Sequence, residues 1–513
     1  MSLNNDDSSN NLDALREAVL VRRPIFGELL KRSGTKSVFD YAKDYLQINL
    51  NPPVQKRQDE LIDTFQTFVA EKFDQATAQA AARQLAKYYF VSTSDHNGPL
   101  CHPYFMNSNI TTALPYSAVE DPVLKYVIVP SCANVSFRNH SFPRGLFFHY
   151  RDKQTKKVEI QRLSFFPAQF RPYPVINFRA YTAAEMKKVT DDIYKQAKKF
   201  APGVSDKIGQ LFAEVYTRPD VLACKYFTDQ VSKTNLHLWK RFFHNSTASI
   251  PDVLYLEQET LVTRLILNYH LDQDTTLYHI LFDSEYDPLI KQYFDDIMCA
   301  FSTKEQSGTY LFWALPKNSK YHIQLWKKGN YLVSNDNSYR LELTPDKVRA
   351  ALAARELIPS CLMDFFVLSF YYGVKCLGGF NQINYLTWMK NAYIKMQLER
   401  GNYKSIEVCA RAQTKENNDS LTFSFMQTDA DTIIPATGLD LILYGDNTTW
   451  ETLQQNACNL TVAEALVPLL PNTYKSVYLE QERNPVLGSI TNEDAMRISK
   501  TREKVKPCAY LTS

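Results

Sequence analysis

Phe90-Val91-Ser92-Thr93-Ser94-Asp95-His96-Asn97-Gly98-Pro99-Leu100-Cys101-His102-Pro103 is where the chain changes character. Before it, residues 13–88 read as helices. In 53–73, Leu61, Phe65, Phe68 and Val69 repeat at helical spacing, and 76–89 is rich in alanine. After it the period shortens. Segments 88–91, 124–129, 145–150 and 158–165 read as strands divided by proline-containing loops. The quoted stretch therefore ends one layer and starts another.

Working outward, residues 89–180 form a first β region, and helical periodicity returns over 181–305. Residues 306–480 read as a second α+β region. Segments 309–315, 321–326, 331–334 and 339–343 have the spacing of an antiparallel meander, with Lys328-Gly329-Asn330 as one of its turns. Thr344-Pro345-Asp346 starts a helix. A second helix is capped by Ser360 and runs to Gly378-Gly379, and a third follows over 382–398. Segments 405–412 and 420–427 read as strands, and Thr461 with Glu464 forms a capping box. Residues 1–12 read as a disordered tail and 481–513 as a C-terminal extension. The expected fold class is α+β: an N-terminal helical region, a first mixed or antiparallel sheet, a central helical region, and a second antiparallel meander packed with helices.

Composition narrows the function. The 58 basic residues nearly balance the 55 acidic ones, and no Lys/Arg stripe stands out, so no nucleic-acid partner is expected. The longest uncharged part of the apolar run, 365–374, is half the length of a membrane span, so no membrane partner is expected either. Nine scattered cysteines without a C-x-x-C pair, and an N-terminus lacking an apolar signal segment, point to a reducing cytoplasm. With only 15 glycines there is no G-x-G-x-x-G and no P-loop, so no standard nucleotide-binding motif is present.

The chemistry concentrates in residues 95–149, which hold four of the nine histidines: His96, His102, His140 and His149. Gly98-Pro99 turns the chain so that His102 can fold back towards Asp95. Asp95, His96 and His102 are the donor set of a divalent zinc or iron site, with His140 and His149 as further catalytic groups. Asn134, Arg138 and Arg144 are candidates for holding a substrate carboxylate or phosphate. Asp95-His96 ahead of a Gly-Pro turn resembles the Asp-His-His motif of a phosphoesterase superfamily. Asn97 replaces its second histidine and its other acidic motifs have no counterpart, so no role is carried over.

The leading expectation is a cytoplasmic enzyme for a small polar or acidic metabolite, using metal-assisted hydrolysis or group transfer. Two alternatives stand beside it. One is a thiol-dependent transferase using Cys132 at a strand end, and the other is a non-enzymatic interaction or effector protein with an aromatic-rich surface.

Overall fold

In the computed structural model, residues 5–47, 52–244, 246–317 and 319–511 are described. The molecule is α+β. At its centre four short strands run parallel. Lys375–Leu377 pairs with Phe90–Ser92, and Tyr126–Ser131 pairs with Asp252–Glu257. A single parallel bridge between His96 and Cys132 joins the two pairs, closed by Asn97 N–H to Cys132 O and Cys132 N–H to Asp95 O, both 2.8 Å. The first sheet is thus a parallel core, with a separate antiparallel hairpin of Gly145–Arg151 and Val158–Ser164 beside it. Local periodicity cannot reveal such pairs, because each partner lies far away in the chain.

Helices start where these strands end. Pro103–Ala113 follows the first strand, Gln258–Tyr269 follows Asp252–Glu257 directly, and Phe380–Glu399 follows Lys375–Leu377. Two large cores lie on either side of this layer and cut across the regions drawn from sequence. One gathers Tyr41, Phe137, Trp239 and Leu441; the other gathers Phe65, Val91, Leu254, Phe366 and Tyr393.

Several local expectations are corrected. The apolar run after Ser360 is not one helix to Gly378: Cys361–Phe365 widens into a π-helical stretch, Phe366–Tyr371. Gly373, at φ +72°, then turns the chain into the Lys375–Leu377 strand. Residues expected as a strand after 405 form the helix Tyr403–Arg411, capped by Asn402, with Ser405, Val408 and Cys409 buried along one face. The expected meander divides into two antiparallel sheets. One is Leu357–Pro359, Phe312–Ala314 and Ile323–Gln324; the other is Trp326–Lys328, Tyr331–Val333 and Arg340–Glu342.

The ends are structured too. A helix spans Asn5–Arg22 where a disordered tail was expected, and its Leu12, Leu15 and Val19 pack on Leu470, Tyr474 and Ile490. Residues 1–4 of that tail lie outside the described residues. Ala509–Tyr510 adds a parallel strand to Phe425–Asp429. Among the described residues no helix is long and apolar enough to cross a membrane.

Candidate functional site

A cavity of about 740 Å³ opens beyond the carboxyl ends of the parallel strands. Crevices at this place in parallel sheets collect ligands, because loops and helix starts converge there. Three imidazoles, His96, His102 and His140, stand in its wall. The His140 ring lies 6.1 Å from that of His96 and 6.1 Å from that of His102, centroid to centroid. Phe105 packs edge-on to His96 at 5.5 Å, and Tyr104 and Phe147 flank His102. Gly98 permits this gathering. A β-carbon there would stand 2.7 Å from Cα of Pro143, in the loop that carries His140.

The hydrogen bonds fix the tautomers of two of these rings. Asn139 Oδ1 accepts from the backbone N–H and the hydroxyl of Ser141, so it is the amide oxygen. His96 Nδ1, 3.1 Å from that oxygen, must donate, which leaves Nε2 as its basic nitrogen. His102 caps the helix Pro103–Ala113, and its Nδ1 accepts from Tyr104 N–H at 3.3 Å. Its proton therefore sits on Nε2. Burial lowers His96 to about 4 and His102 to about 3, and His140 is lowered by burial as well. The rings are neutral at pH 7: one offers a base, the other an N–H donor.

Asp95 does not join them. Its carboxylate is fully buried and faces inward, accepting from Ser94 Oγ, Ser108 Oγ, Asn109 Nδ2 and the Tyr255 hydroxyl. The expected Asp95–His96–His102 donor set is not assembled. Among the described residues no group of three or more His, Cys, Asp or Glu side chains is placed to hold a metal ion.

The other expected residues scatter. His149 lies in the antiparallel hairpin, and its Nδ1 meets the buried Asp440 carboxylate at 2.7 Å. It borders a separate shallow groove that shares Asn472 and Lys475 with the main cavity. Arg138 is exposed on a turn, and Arg144 is buried, with Nη1 donating to Phe166 O at 3.1 Å. Asn134 gives its backbone N–H to Glu259 Oε1 at 2.8 Å. None of these three lines the cavity, so the expected anion clamp is not there.

Cys132 does line it, but its thiol donates to Glu259 Oε1 at 3.3 Å, and burial with that acid pushes it well above the usual thiol range. Cys299 and Cys361 also face the cavity and contact each other. The Cys361 thiol and nearby Arg23 hold Cys299 below its ordinary value. With iodoacetamide at pH 7.5, Cys299 is expected to alkylate first, and Cys132, Cys101 and Cys376 slowest. Peptide mapping that finds Cys132 modified ahead of Cys299 would contradict this electrostatic reading.

Sequence reasoning missed most of the opposite wall: Gln258, Asp364, Tyr385 and Asp419. Asp364 carried a readable signal, a lone carboxylate beside an uncharged apolar run. Asp419 is buried, and burial, with Asp95 nearby, pushes it to about 7. No protein-family model matches this chain, and a search of curated proteins finds no match.

Proposed function

We propose an enzyme that transfers protons on a small polar molecule bound in this cavity. His96 Nε2 takes a proton from the bound group, and His102 Nε2–H donates a hydrogen bond to it. His140, at the lip, exchanges protons with solvent. The complementary tautomers of His96 and His102 in one wall are the observation that carries this reading. A neutral, unprotonated imidazole can act as base without first losing a proton, and one positioned general base contributes typically ~10²–10⁴-fold to rate. The nine free cysteines support a reducing cytoplasm as its compartment.

The test is untargeted. Wild-type protein is incubated with an extract of small metabolites, and mass spectrometry follows which compounds disappear. A compound consumed by wild type and spared about 100-fold by His96→Gln is the expected result. Turnover untouched by His96→Gln, or no turnover at all, removes the proposal. Zinc or iron bound one-to-one and lost in His96→Ala/His102→Ala would replace it with metal-assisted hydrolysis or group transfer.

A further inference from the structure

We propose that Gln258 and Asp364 form a subsite for a protonated nitrogen group of the ligand, an ammonium, amidinium or guanidinium. This deepens the function proposed above and rests on the same cavity being the ligand site. Gln258 opens the helix that follows Asp252–Glu257, and Asp364 lies in Cys361–Phe365. Both line the cavity, yet both are almost entirely buried, 3% and 1% exposed. One bond joins them, Gln258 Nε2 donating to Asp364 Oδ2 at 3.2 Å. The remaining acceptors, Asp364 Oδ1 and Gln258 Oε1, are buried with no hydrogen-bond partner among the described residues.

The neighbouring acids are differently placed. Glu257 is buried with its own cation, Lys72, at 2.8 Å. Glu259 accepts from the backbone N–H groups of Ala133 and Asn134 and from the Cys132 thiol. Asp364 has only the one amide. Other buried polar atoms also lack partners among the described residues, but these two acceptors are the ones that line the cavity, where a ligand can supply the donors. Two acceptors side by side call for a group with two N–H bonds and a positive charge. A carboxylate or phosphate would bring only lone pairs to meet them. The wider lining agrees: Asp364 and Asp419 are buried acids, whereas Lys475, the cavity's basic side chain, is exposed at the rim.

Burial and the nearby Glu259 push the Asp364 carboxyl well above its ordinary range. The titratable groups facing it are Glu259, Cys132, Cys361 and Cys376, none of them a cation. With no cation beside it the protonated carboxyl is favoured, and a cationic ligand favours the carboxylate. A proton displaced from the Asp364 O–H leaves its electron pair on the carboxylate and passes to buffer.

Calorimetry on the full chain at pH 7.5 tests this with four probes: 1,4-diaminobutane, agmatine, 1,4-butanediol and succinate. The expected result is binding of one or both basic probes, and weakening or loss of at least about tenfold in Asp364→Asn. The binding heat of the basic probe should also differ between phosphate and Tris buffers, reporting a released proton; this needs no variant. Succinate or butanediol binding as well as the basic probes overturns the proposal. So does silence from both basic probes, undiminished binding to Asp364→Asn, or a heat independent of buffer. Amine binding without metabolite turnover removes only the acid–base reading, and turnover of a compound lacking basic nitrogen removes only this one.

Discussion

Asp95→Ala is expected to cost about 3–5 kcal/mol of folding stability, because several buried donors lose their acceptor at about 1–3 kcal/mol each. Ser108 Oγ at 2.9 Å, Asn109 Nδ2 at 2.7 Å, Ser94 Oγ at 3.1 Å and the Tyr255 hydroxyl all converge on this carboxylate. Alanine would strand those donors in a site that water does not reach. Asp95→Asn keeps the shape and one acceptor oxygen, so its loss should be smaller. Urea unfolding at pH 7 separates the variants, and a wild-type midpoint for Asp95→Ala would contradict the structural role. A pH signature goes with it. Burial raises this carboxyl from 3.8 to about 6, so the folded protein binds the proton more tightly than the unfolded chain. The group's contribution is then greatest below about 4 and is lost as pH rises through about 6. Asp95→Asn should flatten that part of the stability profile.

Lys72→Met carries a loss of similar size, again about 3–5 kcal/mol. Lys72 ends the helix Pro52–Lys72 with its side chain 7% exposed, and its Nζ meets Glu257 Oε2 at 2.8 Å and Asp229 Oδ1 at 2.5 Å. Without the ammonium, Glu257, at the end of a central strand, is a buried charge that has lost its contacting cation and keeps only the weaker influence of Arg355. Lys72→Met/Glu257→Gln removes both charges and should recover most of the loss. A double-mutant cycle read by chemical denaturation is expected to show a coupling of at least about 1 kcal/mol. Strictly additive losses would mean that the pair does not act as a unit.

The class of the fold was legible because amphipathic spacing reports burial within one segment. Helices such as Pro52–Lys72 and the hairpin Gly145–Arg151/Val158–Ser164 carry their own patterns and their own turns. The parallel core does so only in part. Segments overlapping Phe90–Ser92 and Tyr126–Ser131 read as strands, whereas Asp252–Glu257 and Lys375–Leu377 do not, and the parallel pairing itself joins segments far apart in the chain. The apolar stretch after Ser360 has helical hydrophobicity throughout, and the π-helical widening with Gly373 interrupts it there.

The site divides in the same way. His96, His102 and His140 were found because they are chemically rare and close in sequence, and the fold does bring them together. Adjacency misled for Asp95, since consecutive residues on an extended segment point to opposite faces: His96 faces the cavity and Asp95 the core. Gln258, Asp364 and Asp419 come from three remote segments, and only the assembled fold gives them a common wall.

The pairing of Phe90 with Lys375 also sets a schedule. More than half the chain separates the two residues. At ordinary rates of synthesis the first strand waits roughly a quarter of a minute to a minute on the ribosome before its neighbour emerges. Through that interval its backbone edge is open to other chains, and closure of so large a loop makes the last step slow. Asn472, Thr473 and Lys475, which also border the cavity, are made later still. Fragments released early inherit the histidines without the pocket, so whatever this site does begins only with the finished polypeptide.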